Sequence, residues 1–195
     1  MNNFLDDMNQ KHQKYLNDMK SHNLSIMRRI KIDLMLGNLE FKPNKERLSP
    51  LLWEKCLYLG NKGYIIAGSV SCKLHGLLVR DTDDIDIFKP DVEFKGDVKV
   101  YSNYGDSGDA WDGGEAGFQR AKYYTKMGTM DVFKKTTPYI EYEGIKFGDP
   151  MVAFKAKLGY NRYKDFQDFQ ELNKLYMKMI YGDNYIFYST ERIKK

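Results

Sequence analysis

GYIIAGSVSCKLHGLLVRDTDDIDIF, residues 63–88, is the stretch around which the rest of the chain is arranged. Tyr64-Ile65-Ile66-Ala67 is a short apolar run and predicts a buried strand. Gly68-Ser69 breaks the run, and Val70 to Leu77 reads as a short helix. From Asp84 to Phe88, acidic and apolar residues alternate. Alternation in a strand sends successive side chains to opposite faces. Asp84 and Asp86 are therefore expected on one side, with Ile85 and Ile87 buried on the other.

Two carboxylates on one edge of a strand repel each other unless a cation lies between them. Hard oxygen ligands at that spacing suit Mg²⁺, which takes one or two carboxylates and completes its shell with phosphate oxygens and water. Gly68-Ser69 supplies the complementary half. Glycine lets backbone N–H groups approach a phosphate, the following helix start favours negative charge, and the Ser69 hydroxyl donates a hydrogen bond. The chemistry implied is phosphoryl or nucleotidyl transfer from a metal-bound triphosphate.

The stretch resembles the nucleotidyltransferase superfamily related to polymerase beta. Its signature is an apolar strand, Gly-Gly or Gly-Ser, a short helix, then Asp-x-Asp on the next strand. Leu74-His75-Gly76-Leu77…Arg80-x-Thr82-x-Asp84-Ile85-Asp86 is most similar to the toxin-type nucleotidyltransferases of abortive-infection systems. The 14 residues between Ser69 and Asp84 (70–83) are typical of that branch. By this resemblance the fold is α/β (α+β): a small mixed β-sheet flanked by helices. The expected division is a helical segment at 1–60, a catalytic core at 61–150 and a helical segment at 151–195 that completes the site.

Composition sets the bounds. The chain has 195 residues, 42% of them hydrophobic and 14% aromatic, enough to bury a core. No run of eighteen apolar residues occurs and the first residues do not read as a signal peptide, so the expectation is a soluble, cytoplasmic protein without membrane contact. Cys56 and Cys72 are too few for a zinc site or a disulfide framework. The net charge of +4 is unevenly spread. Residues 1–60 carry 10 Lys and Arg against 7 Asp and Glu, residues 61–150 carry 12 against 15, and residues 151–195 carry 9 against 5. Basic flanks around an acidic middle are compatible with a polyanion as partner, and equally with solvated helix faces.

Along the chain, apolar spacing predicts helices over about 3–20 and 25–36, ended by Gly37-Asn38. The first is expected to be a lid on the core or a partner surface. Ser49-Pro50 opens a third helix with Ser as cap and Pro at its first position, and Gly60 ends it. Val98–Tyr101, Ala121–Lys126, Thr129–Lys134, Tyr139–Tyr142 and Ile145–Phe147 read as strands, the last four as two hairpins. Residues 102–118, rich in Gly and Asp, form a long loop expected to be functional or mobile. Neither that loop nor Asp81–Asp86 has EF-hand spacing, which rejects calcium. Asp149-Pro150 opens a further helix, and a last one runs from about Tyr163 to Tyr181.

Asp131 lies on a predicted strand among apolar residues, where a carboxylate is costly unless it faces solvent or a cation. The resemblance makes it the third carboxylate, as metal ligand or as base on the attacking hydroxyl. The family also carries a helix lysine followed by Asp-x-x-Asp. Lys155 is the match to the first, with Lys157 as the alternative. Asp165 and Asp168 match the second, and Asp168 is favoured as the residue that positions the lysine or accepts a proton. Arg80 either meets the triphosphate or pairs with Asp81 or Asp83. His75 reads as a packed helix-end residue. No P-loop, zincin or Gly-x-Ser-x-Gly motif is present.

The resemblance thus implies a nucleotidyltransferase moving a nucleoside monophosphate from an NTP such as ATP to a hydroxyl. Mg²⁺ or Mn²⁺ would sit at Asp84, Asp86 and Asp131, and the nucleotide at Gly68, Ser69, Arg80 and Lys155. The favoured acceptor is the 3′ end of a tRNA, with a protein or a small molecule as alternatives, and the resemblance to the toxin branch leaves open a cognate antitoxin as partner. The rival reading is a catalytically inactive domain of the same fold that binds RNA or a partner protein.

Overall fold

The computed structural model describes residues 2–82, 84–94, 99–101, 118–125 and 128–182. Among them the architecture is mixed α and β, with five α-helices and one seven-stranded mixed sheet. The strands are β1 (Ile65–Ala67), β2 (Asp84–Phe88), β3 (Lys99–Tyr101), β4 (Phe118–Thr125), β5 (Gly128–Lys134), β6 (Tyr139–Tyr142) and β7 (Ile145–Gly148). Their order is β3-β4-β5-β2-β1-β7-β6. The helices are α1 (Asn2–Met35), α2 (Pro50–Gly60), α3 (Gly68–Leu74), α4 (Pro150–Tyr160) and α5 (Tyr163–Tyr181).

β1 runs antiparallel to β2, and β2 runs parallel to β5. The two hairpins read from the sequence are present as β4–β5 and β6–β7. Register fixes what shares a face. Ala67, Asp86 and Asp131 stand side by side on β1, β2 and β5, and Ile66, Ile87 and Val132 make the adjacent row. Because side chains alternate, the first row faces one side of the sheet and the second row the other. The second row joins Ile85 and Phe147 with Cys56 and Leu59 of α2 and Val70 and Leu74 of α3 in the main core.

Helix ends follow the local chemistry. The Ser49 hydroxyl accepts from Leu52 N–H at 3.3 Å and Pro50 is the first residue of α2. Asp149 accepts from Met151 N–H at 2.8 Å ahead of Pro150 in α4. Asn161 ends α4 in the left-handed region, at φ 49°. These are the cap residues that satisfy a first turn's open N–H groups and tolerate a positive φ at its end.

The N-terminal segment departs from expectation. It is one continuous helix, not two. No Gly or Pro lies between Lys20 and Ser25, so the backbone has no reason to break there. Asn23, Ile26 and Ile30 recur at helical spacing and are buried. Ile26 and Ile30 pack with Phe154 of α4 and with Phe169, Leu172 and Tyr176 of α5 in a second apolar cluster. Each such isoleucine contributes about 1.5–3 kcal/mol by burial. Arg29 donates to Asn173 at 3.1 Å and Tyr176 donates to Asp33 at 2.5 Å, fixing α1 along α5. α1 thereby holds the C-terminal helices in place. No described helix is long and apolar enough to cross a membrane. Residues 102–117 of the Gly/Asp-rich loop lie outside the described residues, and Phe118 opens β4.

Candidate active site

β1 ends at Ala67 and the chain turns at once into α3 through Gly68, whose φ is +59°. Only glycine suits this point, for a second reason besides the dihedral angle. A Cβ on residue 68 would stand 1.9 Å from Asp86 Oδ2. The carboxylate of β2 is laid against the turn, and the turn is hollowed to receive it. Ser71 of α3 donates its hydroxyl to Gly148 O, tying the helix start to the end of β7. A Cβ on Gly148 would in turn press on Ala67, at 2.8 Å from its Cβ.

A cleft of about 680 Å³ opens on the Asp86 face of the sheet. Gly68, Ser69, Arg80, Asp84, Asp86 and Asp131 all line it. Asp84 and Asp86 are on one face, as their alternation predicts, and Asp131 sits directly beside Asp86 in the parallel β2–β5 ladder. Neighbouring strands are about 4.8 Å apart, so the two residues are direct neighbours across the ladder. Burial is the largest cause raising Asp86, and the negative charges of Asp84 and Asp131 add to it. Lys157 and Arg120 oppose the rise, yet the carboxyl is pushed up to about 7.

Asp131 is buried and carries two cations from β4. Lys122 donates to Oδ2 at 3.2 Å. Arg120 Nε lies 3.3 Å from Oδ1, an atom that is buried and accepts no hydrogen bond. Both β4 side chains line the cleft. Neither was picked out from the sequence. The signal that would have found them is the alternation Arg120-x-Lys122 beside the strand holding Asp131.

Lys155, the lysine expected at the site, and Lys157, its alternative, are placed differently in α4. Lys155 is exposed and does not line the cleft, whereas Lys157 is only 6% exposed and does. Helical phase explains the difference. Phe154 turns into the α1–α5 cluster, and Lys157, three residues on, lies on the same inner side. Lys157 Nζ donates to Asp168 Oδ2 at 2.8 Å and reaches Ser69 Oγ at 3.5 Å.

Asp168, 1% exposed, joins Lys157 to Arg80. Arg80 Nε and Nη2 donate to its two oxygens at 2.7 and 3.0 Å, a bidentate pair. Burial alone would raise this carboxyl, but the Arg80 hydrogen bonds and the Lys157 charge outweigh it and hold it below the usual carboxylate range. Arg80 is thus paired with the Asp168 carboxylate and also donates from Nη1 to the Asp81 carbonyl oxygen at 3.1 Å, while the Asp81 carboxylate takes Lys73 at 2.6 Å. Asp83 lies outside the described residues. Asp165 accepts from the backbone and guanidinium of Arg162, closing the first turn of α5. His75 is buried at the end of α3 with Nδ1 2.8 Å from Ser71 O, a packed position outside the cleft lining.

Among the described residues no set of three or more His, Cys, Asp or Glu side chains forms a group that could hold a metal ion. The donor set at Asp84 and Asp86 nonetheless suits a hard divalent cation that keeps phosphate and water ligands. Burial and the neighbouring charges of Asp84 and Asp131 disfavour the ionised form of Asp86, and a cation relieves that condition. Compared with protein-family models, with curated proteins and with solved structures, the chain matches none.

Proposed function

We propose that the cleft is the active site of a metal-dependent nucleotidyltransferase, with the fold of the polymerase-beta-like superfamily that the sequence resembles. One observation carries the reading. Asp84, Asp86 and Asp131 share one sheet face, and Asp86 is set against the Gly68 turn that opens α3. A carboxylate cluster facing a phosphate-binding turn is the arrangement that transfer from a triphosphate needs.

Gly68 and Ser69 would receive the triphosphate through backbone N–H groups and a hydroxyl. Lys157, held by Asp168, supplies a fixed positive charge beside Ser69, where charge builds on departing pyrophosphate. Asp84 and Asp86, with Asp131 beside them, would hold Mg²⁺ or Mn²⁺, which when bound neutralises phosphate oxygens and polarises the α-phosphate. In the reaction the acceptor oxygen forms a bond to the α-phosphorus as the bond to the bridging oxygen of pyrophosphate breaks. The proton of the attacking hydroxyl passes to Asp131 Oδ1, a buried oxygen that accepts no hydrogen bond. The acceptor favoured is an RNA 3′ end such as that of tRNA, with a protein or small-molecule hydroxyl as the alternatives.

The test is calorimetric binding of each of the four NTPs with and without Mg²⁺, followed by transfer from α-labelled nucleotide to bulk tRNA or lysate. Metal-dependent binding and labelling of a band, both lost in Asp86→Asn with the fold intact, are expected. Equal labelling by that variant would sink the mechanism. RNA binding with no metal-dependent nucleotide binding would favour the inactive-domain reading, which the occupation of Asp131 by Arg120 and Lys122 suits.

A further inference from the structure

Three parts of the chain converge on one buried carboxylate. Asp168 of α5 takes Arg80 on both its oxygens, from Nε at 2.7 Å and Nη2 at 3.0 Å, and takes Lys157 of α4 on Oδ2 at 2.8 Å. Arg80 belongs to neither helix. It lies in the segment that runs from α3 to β2, four residues before Asp84, and Leu77 and Leu78 anchor that segment in the second apolar cluster. Its Nη1 donates to Asp81 O at 3.1 Å, so the same guanidinium also holds the approach to the carboxylate strand. Lys157 has a second carboxylate nearby. Asp165 Oδ1 stands 3.8 Å from its Nζ, and Arg162 donates to both Asp165 oxygens. A carboxylate turns easily about its Cβ–Cγ bond unless both oxygens are held. The planar fork of Arg80 holds both, which keeps Oδ2 in one place and Lys157 Nζ beside Ser69 Oγ, at 3.5 Å.

We infer that Arg80 is a positioning residue: acting through Asp168, it aims Lys157 at the phosphate-binding turn and ties that lysine to the segment leading into Asp84 and Asp86. Burying such a set of charges gains little stability over apolar packing of the same volume, and what the set supplies is direction. The direct alternative, Arg80 on the triphosphate itself, would draw on a guanidinium whose Nε, Nη1 and Nη2 all donate within the protein. The inference rests on the transfer reading for what Lys157 meets. The coupling of Arg80 to Lys157 stands apart from that reading.

The experiment is calorimetric binding of inorganic tripolyphosphate with Mg²⁺, a phosphate chain without a base, to the full chain as wild type, Arg80→Lys, Asp168→Asn and the double variant. Arg80→Lys keeps the charge and loses the fork. Each single variant is expected to weaken binding about tenfold, and the double variant no further than the weaker single one, because both break one unit. Losses that multiply in the double variant would show that Arg80 meets phosphate directly and would overturn the assignment. Arg80→Lys binding as tightly as wild type would overturn it too. A urea-unfolding cycle of Arg80→Lys and Lys157→Met reads the coupling without ligand, and it remains available where Asp168→Asn is too unstable to titrate. Non-additive effects are expected there, and additive ones would mean that Asp168 does not join the two side chains. Should wild type bind no tripolyphosphate, the transfer reading fails by itself: a non-additive cycle then keeps Arg80 as the residue that fixes Lys157, and an additive one removes it.

Discussion

At Gly68 two constraints meet: φ is +59°, and Asp86 Oδ2 fills the place where a Cβ would go. A left-handed non-glycine residue alone costs on the order of 1–3 kcal/mol. Gly68→Ala is therefore expected to lower stability by at least that much and to push the Asp86 carboxylate off the turn. Urea unfolding and metal-dependent nucleotide binding check the two effects. A variant as stable as wild type would show that the carboxylate is not laid against the turn. Asp86 itself sets a pH dependence. Its carboxyl sits at about 7 in the fold and near 4 when unfolded, so the folded state binds the extra proton between those values. Its contribution is fully present below about pH 4 and is lost as pH rises through about 7. Without metal, stability should fall across that window, and Asp86→Asn should flatten the fall. A wild-type curve with the slope of the Asn variant would contradict this.

The elements differ in how openly the sequence announces them. Strands β1 and β2 and the Gly68 turn were legible because alternation and a glycine break are local signals. The caps Ser49-Pro50 and Asp149-Pro150 were legible for the same reason. The unity of α1 was not, since it depends on Ile26 and Ile30 meeting α4 and α5, contacts remote in sequence. The choice between Lys155 and Lys157 was a matter of helical phase, decided by which side of α4 meets Asp168. That difference is measurable. Lys157→Ala removes a buried cation from Asp168 and should cost about 3 kcal/mol and weaken triphosphate binding. Lys155→Ala, at an exposed position, should change stability by no more than about 0.5 kcal/mol. Equal effects of the two in urea unfolding would mean that α4 is rotated from the phase described.

Across the whole molecule, one sheet separates an apolar face from a charged one. Ile66, Ile85, Ile87 and Val132 fill the core on the first, while Asp84, Asp86 and Asp131 line the cleft on the second. The helices complete that second face: α3 brings the turn, α4 brings Lys157, α5 fixes it through Asp168, and α1 holds α4 and α5. The separate contributions of residues distant in sequence explain why Arg120 and Lys122 stayed hidden until the β4–β5 register was known. The measurement that reaches the central claim most directly compares one NTP labelled at its α-phosphate with the same NTP labelled at its γ-phosphate. Each is incubated with Mg²⁺, acceptor RNA and either wild type or Asp86→Asn. A nucleotidyltransferase places the α-label on the acceptor and releases the γ-label in pyrophosphate, and Asp86→Asn does neither. Transfer of the γ-label to the acceptor, or no transfer of either label by wild type, would contradict the account.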